Sequence, residues 1–374
     1  MLKVNGIAKN VRTPLIGIAC LGDVPFFDRQ SYIAVGENSC FGYLAHVKKK
    51  DSKSSLFQPN VTLDMNDLEL IQDGDILRLK SNGEIEFLWK KGSSSNCLFV
   101  TSRCNCSCFM CPQPPEEDTE NYDAIIMRIL SLLDKKGGES VCITGGEPTL
   151  PRKQFIKYLS LLRKNHSHRR VEVLTNAQTF SDIEFARDVS LCSPRKISFC
   201  TSLHADIASI HNHVVNSGIA FKRSVYGIQN LARFGLPVEI RFVINKYNYK
   251  RIAPFANFVS RNFPFVYHVA FMGMEIVGLA TKNFDDIWID PRQCNDSLFD
   301  AMRTLERVGI ASSIYNTPLC LLDERLWNYS KQSISDWKNI YPELCSKCSL
   351  KNRCCGVFST STHLNPNLRP KHQQ

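Results

Sequence analysis

Two regimes of hydrophobic patterning divide the chain. Up to about residue 90, apolar residues come in short runs broken by turn residues: Tyr32-Ile33-Ala34-Val35 ends at Gly36-Glu37-Asn38, and the runs 75–79 and 84–88 face each other across Ser81-Asn82-Gly83. An Asn-Gly pair between two such runs is a hairpin signal, because the tight turn needs positive φ at its central positions. The polar, Gly- and Ser-rich stretch 90–96 then reads as a linker. From 97 to about 315 short apolar runs alternate with amphipathic ones, the signature of strands and helices taken in turn around a parallel sheet. The expected strands are 98–101, 141–144, 171–175, 196–202, 238–245 and 266–272, and the expected helices about 119–136, 152–164, 181–190, 219–234 and 249–261.

Six βα units of this size predict an α/β fold, a partial (β/α)6 barrel with function at the C-terminal ends of its strands. The predicted organisation is a β-rich N-terminal domain over 1–92, the partial barrel over 97–315, a Cys-rich extension over 316–361 and a polar tail over 362–374. Composition is that of an ordinary globular protein, with 43% apolar and 22% charged residues among 374. No apolar run is long enough to span a membrane and none near the start reads as a secretory signal, so a cytoplasmic protein is expected. The net charge of +10 is scattered in short clusters such as Arg169-Arg170, which reads as a solvated surface, and no nucleic-acid partner is expected.

Sixteen cysteines change the picture, since a reducing compartment argues against a disulfide framework and leaves metal as the better reason for so many. One group, Cys104, Cys108 and Cys111, follows directly on an expected strand with the spacing C-x3-C-x2-C; Cys106 lies inside it as a bystander. Three thiolates so spaced can wrap one iron cube and leave its fourth iron open for reaction, although a structural zinc site is an alternative. One βα unit later Gly145-Gly146-Glu147-Pro148 ends a strand, where two glycines admit a close approach and a carboxylate suits a cationic amine. Later strand ends carry Asn176, Ser202, His204, Arg241 and Asn245, polar groups suited to a ribose, a carboxylate or a turn cap. A second group, Cys345, Cys348 and Cys354 with Cys320 upstream and Cys355 as the spare, supplies four thiolates for a further iron-sulfur cluster or a tetrahedral zinc ion.

The cysteine spacing after the first strand, followed by Gly-Gly-Glu-Pro after the second, resembles the radical SAM superfamily. That resemblance implies a 4Fe-4S cluster on Cys104, Cys108 and Cys111, and S-adenosylmethionine held by Met110, Gly145, Gly146, Glu147, Asn176, Ser202 and Arg241. It also implies reductive cleavage of S-adenosylmethionine to a 5′-deoxyadenosyl radical. The C-terminal cysteines resemble auxiliary-cluster extensions of the SPASM or twitch type, found in enzymes that modify peptides. Longer words, among them Cys111-Pro112-Gln113-Pro114-Pro115, His268-Val269-Ala270-Phe271-Met272-Gly273, Trp288-Ile289-Asp290-Pro291 and Ser333-Ile334-Ser335-Asp336-Trp337-Lys338, resemble the C-type radical SAM maturase of the His-Xaa-Ser peptide system. The implied partners are a peptide or small protein with His-Xaa-Ser repeats, a second radical SAM maturase, and an electron donor such as flavodoxin or ferredoxin. An exposed edge of the N-terminal sheet would suit an extended peptide added as a strand. A radical SAM enzyme acting on RNA or a small metabolite, and a zinc-stabilised nucleic-acid-binding protein, are the alternatives.

Overall fold

A computed structural model describes residues 2–37, 40–50, 52, 57–138, 140–332, 340–360 and 368–371. The word 333–338 and most of the polar tail lie outside the described residues. Packing divides the chain into two units. One comprises Met1–Phe99, Glu120–Cys142 and Leu161–Arg170, the other Val100–Thr119, Ile143–Ser160 and Val171–Gln374.

In the first unit eight strands form one sheet: β1 (Lys3–Asn5), β2 (Ile7–Lys9), β3 (Leu15–Cys20), β4 (Tyr32–Val35), β5 (Ala45–Lys49), β6 (Asn60–Leu63), β7 (Ile76–Leu79) and β8 (Glu84–Trp89). Their order is β1-β8-β7-β3-β4-β5-β6-β2. The two ends of that order are successive halves of a single run, in which Lys3–Asn5 pairs with β8 and Ile7–Lys9 with β6, so the sheet closes on itself. Gly6 makes the corner: a Cβ there would sit 2.3 Å from the Thr62 carbonyl oxygen, and its N–H donates to Gly83 O at 3.0 Å. The expected hairpin is β7–β8, with Gly83 at φ +89°. Val4, Ala19, Ile33, Val47, Val61, Leu77, Ile85 and Phe87 fill this unit's core.

The run 3–9 thus covers the outer sides of β8 and β6, and its halves β1 and β2 are the end strands of the sheet, each with one paired neighbour among the described residues.

The second sheet has seven strands: β9 (Cys97–Phe99), β10 (Val141–Thr144), β11 (Val171–Thr175), β12 (Ile197–Ser202), β13 (Val238–Val243), β14 (His268–Met272) and β15 (Ala311–Tyr315), in the order β15-β14-β13-β12-β11-β10-β9. From β11 to β15 every pair is parallel. Helices Tyr122–Leu132, Arg152–Asn165, Ile183–Cys192, Ala220–Arg233 and Ile252–Asn262 take the expected places, and two of them start at side-chain caps: Asn121 accepts from Ala124 N, and Asp182 from Glu184 N and Phe185 N. β15 is an addition to the expected six strands, and the helix Asn295–Arg307 leads into it.

The two faces of this sheet differ. Val171, Val173, Phe199, Ile240, Phe242, Val269 and Phe271 alternate onto a fully buried face. Glu172, Ser198, Glu239, Arg241 and His268 point to the other and stay half-buried. A parallel sheet is ordinarily apolar on both sides, so the polar face marks the one that serves a ligand rather than the core. Among the described residues no helix is long and apolar enough to cross a membrane.

Beyond Ser202 the chain turns through His204, whose N–H donates to His211 Nδ1 at 3.0 Å, while Val243 N donates to His204 Nδ1 at 3.3 Å. His204 is thus a turn cap. Burial holds its pKa down to about 4 and that of His211 to about 3, against 6.5 for a free imidazole. Because both folded values lie below the unfolded one, their contribution is complete above pH 6.5 and is lost as pH falls toward 4, at about 1.4 kcal/mol per histidine for each pH unit. Thermal unfolding followed from pH 7.5 to pH 5 should show the melting temperature falling below pH 6.5, less steeply in His211→Gln.

Candidate functional site

The cysteine loop begins where β9 ends. Val100 N donates to Thr144 O at 2.8 Å, and Asp118 then gathers the next three residues: its carboxylate accepts from Thr101 Oγ1 at 2.7 Å and Ser102 N at 2.6 Å, and pairs with Arg103 at 3.3 Å. The loop itself is pinned by several chain segments. Ser107 N and Phe109 N donate to Val215 O and Val214 O, Asn283 Nδ2 donates to Phe109 O, and Leu279 N to Cys111 O. Gly278, at φ +63°, lies so close that a Cβ would be 2.6 Å from Cys111 O. Asp118, Asn283 and Gly278 escaped sequence reasoning, since their partners are far away along the chain.

Cys104, Cys108 and Cys111 are half-buried on this loop, and Cys106 is buried, accepting from Gln178 Nε2 at 2.9 Å. Burial, with Glu147 and the neighbouring thiols adding to it, pushes the Cys104 thiol up to about 12, and burial also raises Cys111. Contact between Cys106 and Cys108 lowers the first and raises the second. Crowded thiols that cannot all ionise are the situation a metal cation reverses. Among the described residues no three His, Cys, Asp or Glu side chains converge on one point, as the ligands of a single ion do. An iron cube takes each thiolate on a different iron, so it asks for thiols set around a hollow, and three of them on one loop fit that donor set.

Behind the loop lies the Gly-Gly-Glu turn. A Cβ on Gly145 would meet Thr101 O at 2.6 Å and one on Gly146 would meet Arg103 O at 2.4 Å. The glycines are therefore required by the protein's own backbone, where the sequence suggested a ligand's approach. Glu147 is 1% exposed. Its Oε1 accepts from Thr149 N (3.1 Å), Thr149 Oγ1 (2.5 Å) and Thr175 Oγ1 (2.7 Å), and Oε2 accepts from Asn176 N at 2.7 Å. Burial nevertheless raises its pKa. Its four hydrogen bonds, three on Oε1 and one on Oε2, match the about four acceptor positions a carboxylate offers. Asn176 in turn sends Nδ2 to Asn105 Oδ1 at 2.7 Å, so the end of β11 is joined to the cysteine loop.

The remaining expected residues fall into two places. Met110 is buried with Asn245 Nδ2 3.6 Å from its sulfur. Ser202 stands in register with Arg241 on the polar face. There Arg241 Nε donates to Glu239 Oε1 at 2.6 Å, His268 Nδ1 lies 3.0 Å from Glu239 Oε2, and His268 Nε2 lies 3.0 Å from Ser313 Oγ. Burial opposes the Glu239 charge, but His268 and Arg241 outweigh it and hold the pKa down to about 2.

The second cysteine group assembles in the C-terminal segment. Cys320, Cys345, Cys348 and Cys354 line one hollow of about 390 Å³, open solvent at its mouth included, with Leu319, Tyr341 and Val357 among its walls. Cys355 is 3% exposed and does not line it. Cys354 Sγ accepts from Leu319 N and Gly356 N, both at 3.4 Å. The Cys355 thiol, and then these two N–H groups, pull the Cys354 pKa down to about 6 against the effect of burial.

Thr175→Val should remove one donor from the buried Glu147 carboxylate and cost about 1.5–3 kcal/mol of stability by chemical denaturation. A loss below about 0.5 kcal/mol would mean that the carboxylate finds water instead.

Curated relatives are similar over part of the chain. A "Probable GTP 3',8-cyclase" of Saccharolobus islandicus is 28% identical over 221 residues, 58% of this chain and 66% of that protein. One of Saccharolobus solfataricus is 31% identical over 197 residues, 51% of this chain and 61% of that protein. The chain thus spans just under two thirds of the length of these relatives. Among solved structures, Streptococcus suis SuiB bound to S-adenosylmethionine has a TM-score of 0.48 at 15% identity, covering 66% of this chain and 54% of that one. Native anSMEcpe with bound AdoMet has a TM-score of 0.44 at 18% identity, covering 58% and 62%. The family model of the Radical SAM superfamily matches residues 98–259, which run from β9 and the cysteine loop through the Gly-Gly-Glu turn into the helix after β13, and that stretch of the chain belongs to the superfamily.

Proposed function

We propose that this radical SAM enzyme is a peptide maturase, modifying a ribosomally made peptide or small protein with His-Xaa-Ser repeats beside a second radical SAM maturase, with flavodoxin or ferredoxin as electron donor. The observation that carries the reading is that Cys320, Cys345, Cys348 and Cys354 line one hollow. Four thiolates would saturate an auxiliary iron-sulfur cluster, leaving no iron for a small substrate to ligate. The polar face of the second sheet supports it further. From β11 to β15 that face carries one guanidinium, Arg241, against two carboxylates, Glu172 and Glu239. A triphosphate calls for clustered positive charge.

When bound at Cys104, Cys108 and Cys111, the reduced cluster and S-adenosylmethionine supply a 5′-deoxyadenosyl radical that takes a hydrogen atom from the substrate. The chain's residues bind and orient. Glu147 and the backbone of Gly145 and Gly146 would steady the methionyl amine, and Asn176 joins the cysteine loop to the end of β11 beside them. Ser202 and Arg241 serve the ribose and carboxylate, with Arg241 kept in place by Glu239. Met110, buried next to Asn245 on the cysteine loop, would contribute to holding the cofactor. The sheet and its helices exclude water from the radical.

A nucleotide substrate is the second reading, favoured by the relatives' name, GTP 3',8-cyclase. Oxygen-free reconstitution, iron counting and 5′-deoxyadenosine release, with a His-Xaa-Ser repeat peptide and with GTP, separate the two. About eight irons per chain are expected, falling to about four with release abolished when Cys104, Cys108 and Cys111 are all changed to Ala. Peptide-dependent release with a mass change in the peptide supports the maturase. Conversion of GTP with the peptide left unmodified would replace it with the second reading.

A further inference from the structure

Phe109 stands between Cys108 and Cys111, and its ring belongs to a packed trio at the protein surface. Its centroid lies 5.1 Å from that of His213 and 6.2 Å from that of Tyr247, and the His213 and Tyr247 rings meet edge to face at 4.5 Å. His213 and Tyr247 are exposed, and Phe109 is partly covered. We infer that this trio, with the lysines around it, is the surface on which an acidic one-electron carrier protein docks to reduce a cluster held by Cys104, Cys108 and Cys111. The inference rests on the reading that the chain holds such a cluster and is reduced by a carrier of the flavodoxin or ferredoxin class.

The trio is built onto the cysteine loop. Phe109 N donates to Val214 O at 3.1 Å, one residue from His213, and Phe109 O accepts from Asn283 Nδ2 at 2.9 Å. Tyr247 N donates at 3.0 Å to Asn245 Oδ1, and the Nδ2 of the same Asn245 lies 3.6 Å from the Met110 sulfur. An exposed ring is thereby held at a fixed distance from the thiols. Single exposed apolar side chains need no explanation, but rings packed together at the surface mark a place of contact. Charge chooses the partner. Lys246 precedes Tyr247, Lys250 follows four residues later and Lys282 precedes Asn283, and all three are exposed. Arg251 is taken up by Asp206. Asp285 and Asp286 are the exposed carboxylates on the segment Phe284–Ile287, where Lys246 N donates to Ile287 O at 2.8 Å, so the lysines outnumber them. The chain leaving Cys111 in the other direction runs into exposed Glu116, Glu117 and Asp118, of which Asp118 pairs with Arg103. An acidic protein is drawn to the lysine flank and repelled by the glutamate flank. A carrier must also leave quickly, and a few rings edged with charge make the small interface that such transient encounters use.

The step is the passage of one electron: the carrier is oxidised by one, the cluster is reduced by one, and no bond forms or breaks. The full-length chain is reconstituted without oxygen, and 5′-deoxyadenosine release is measured with dithionite, a small ion that needs no docking surface, and with flavodoxin or ferredoxin, each kept reduced by its reductase and NADPH. Affinity for each carrier is measured separately by surface plasmon resonance. The variants are Lys250→Glu with Lys282→Glu, Tyr247→Ala, and Glu116→Lys with Glu117→Lys. Reversing the lysines is expected to lower carrier affinity and carrier-supported release about tenfold at low salt, less at high salt. Tyr247→Ala is expected to lower both, reversing the glutamates to lower neither, and dithionite-supported release to stay at the wild-type level in all three. Carrier affinity and release unmoved by the lysine reversal would overturn the inference. A loss confined to the glutamate reversal would also overturn it and move docking to the other flank. If the lysine reversal loses dithionite-supported release too, Lys250→Gln and Lys282→Gln singly take its place, and unchanged carrier affinity in both overturns the inference. Wild type that works with dithionite but with neither carrier would end the donor reading, and this inference with it; wild type that releases nothing with dithionite would end the cluster reading. Both failures appear before any residue is changed.

Discussion

A carboxylate with almost no access to water sits at the centre of this molecule's functional end. Glu147 must be satisfied from within, and its four hydrogen bonds come from Thr149 just beyond β10 and from Thr175 and Asn176 at the end of β11. Because one of those donors is the backbone of Asn176, the side chain of that residue is delivered to Asn105, inside the cysteine loop. The same strand end is gripped from its other side: Ser224 Oγ donates to Asn176 O at 2.7 Å, and Gly227 leaves so little room that a Cβ would stand 1.9 Å from Ala177 O. Ala177 is held there at φ +61°, a left-handed conformation that costs a residue with a side chain roughly 1–2 kcal/mol. The strain is sustained because Glu147 on one side and the helix Ala220–Arg233 on the other leave no alternative.

Much of this framework could be read in advance, for identifiable reasons. β10 and β11 were legible to the residue, since their valines and isoleucines alternate with less buried neighbours and turn residues bound them. The Asn82-Gly83 turn was legible because its conformation admits few other residues. β15, by contrast, is Ala311-Ser312-Ser313-Ile314-Tyr315, whose two serines hide the periodicity; it becomes a strand because β14 offers it a parallel edge. Closure of the first sheet by residues 3–9 was invisible for a related cause, as two three-residue strands carry almost no pattern of their own.

At the site the sequence conveyed identity better than direction. The cysteine spacing and the Gly-Gly-Glu turn could be recognised, but whether Glu147 faces a ligand or its own chain depends on Thr149, Thr175 and Asn176 together. Gln178 and Gly278 act on the cysteine loop across long stretches of sequence, and nothing local marks them. In the C-terminal segment the choice between Cys354 and Cys355 was open from spacing alone. In the fold Cys354 lines the hollow and Cys355 does not, as adjacent side chains in extended backbone face opposite sides.

The closed N-terminal sheet bears on how the protein is made. Lys3 pairs with Glu86 and Ile7 with Thr62, so this run is synthesised well before the strands that partner it. Until residue 86 has emerged, this opening strand has one partner at most and the sheet keeps two unpaired edges. A nascent chain in that state is most exposed to pairing with its neighbours, and the closing strand works as a clasp that ends the risk only when the whole unit is present.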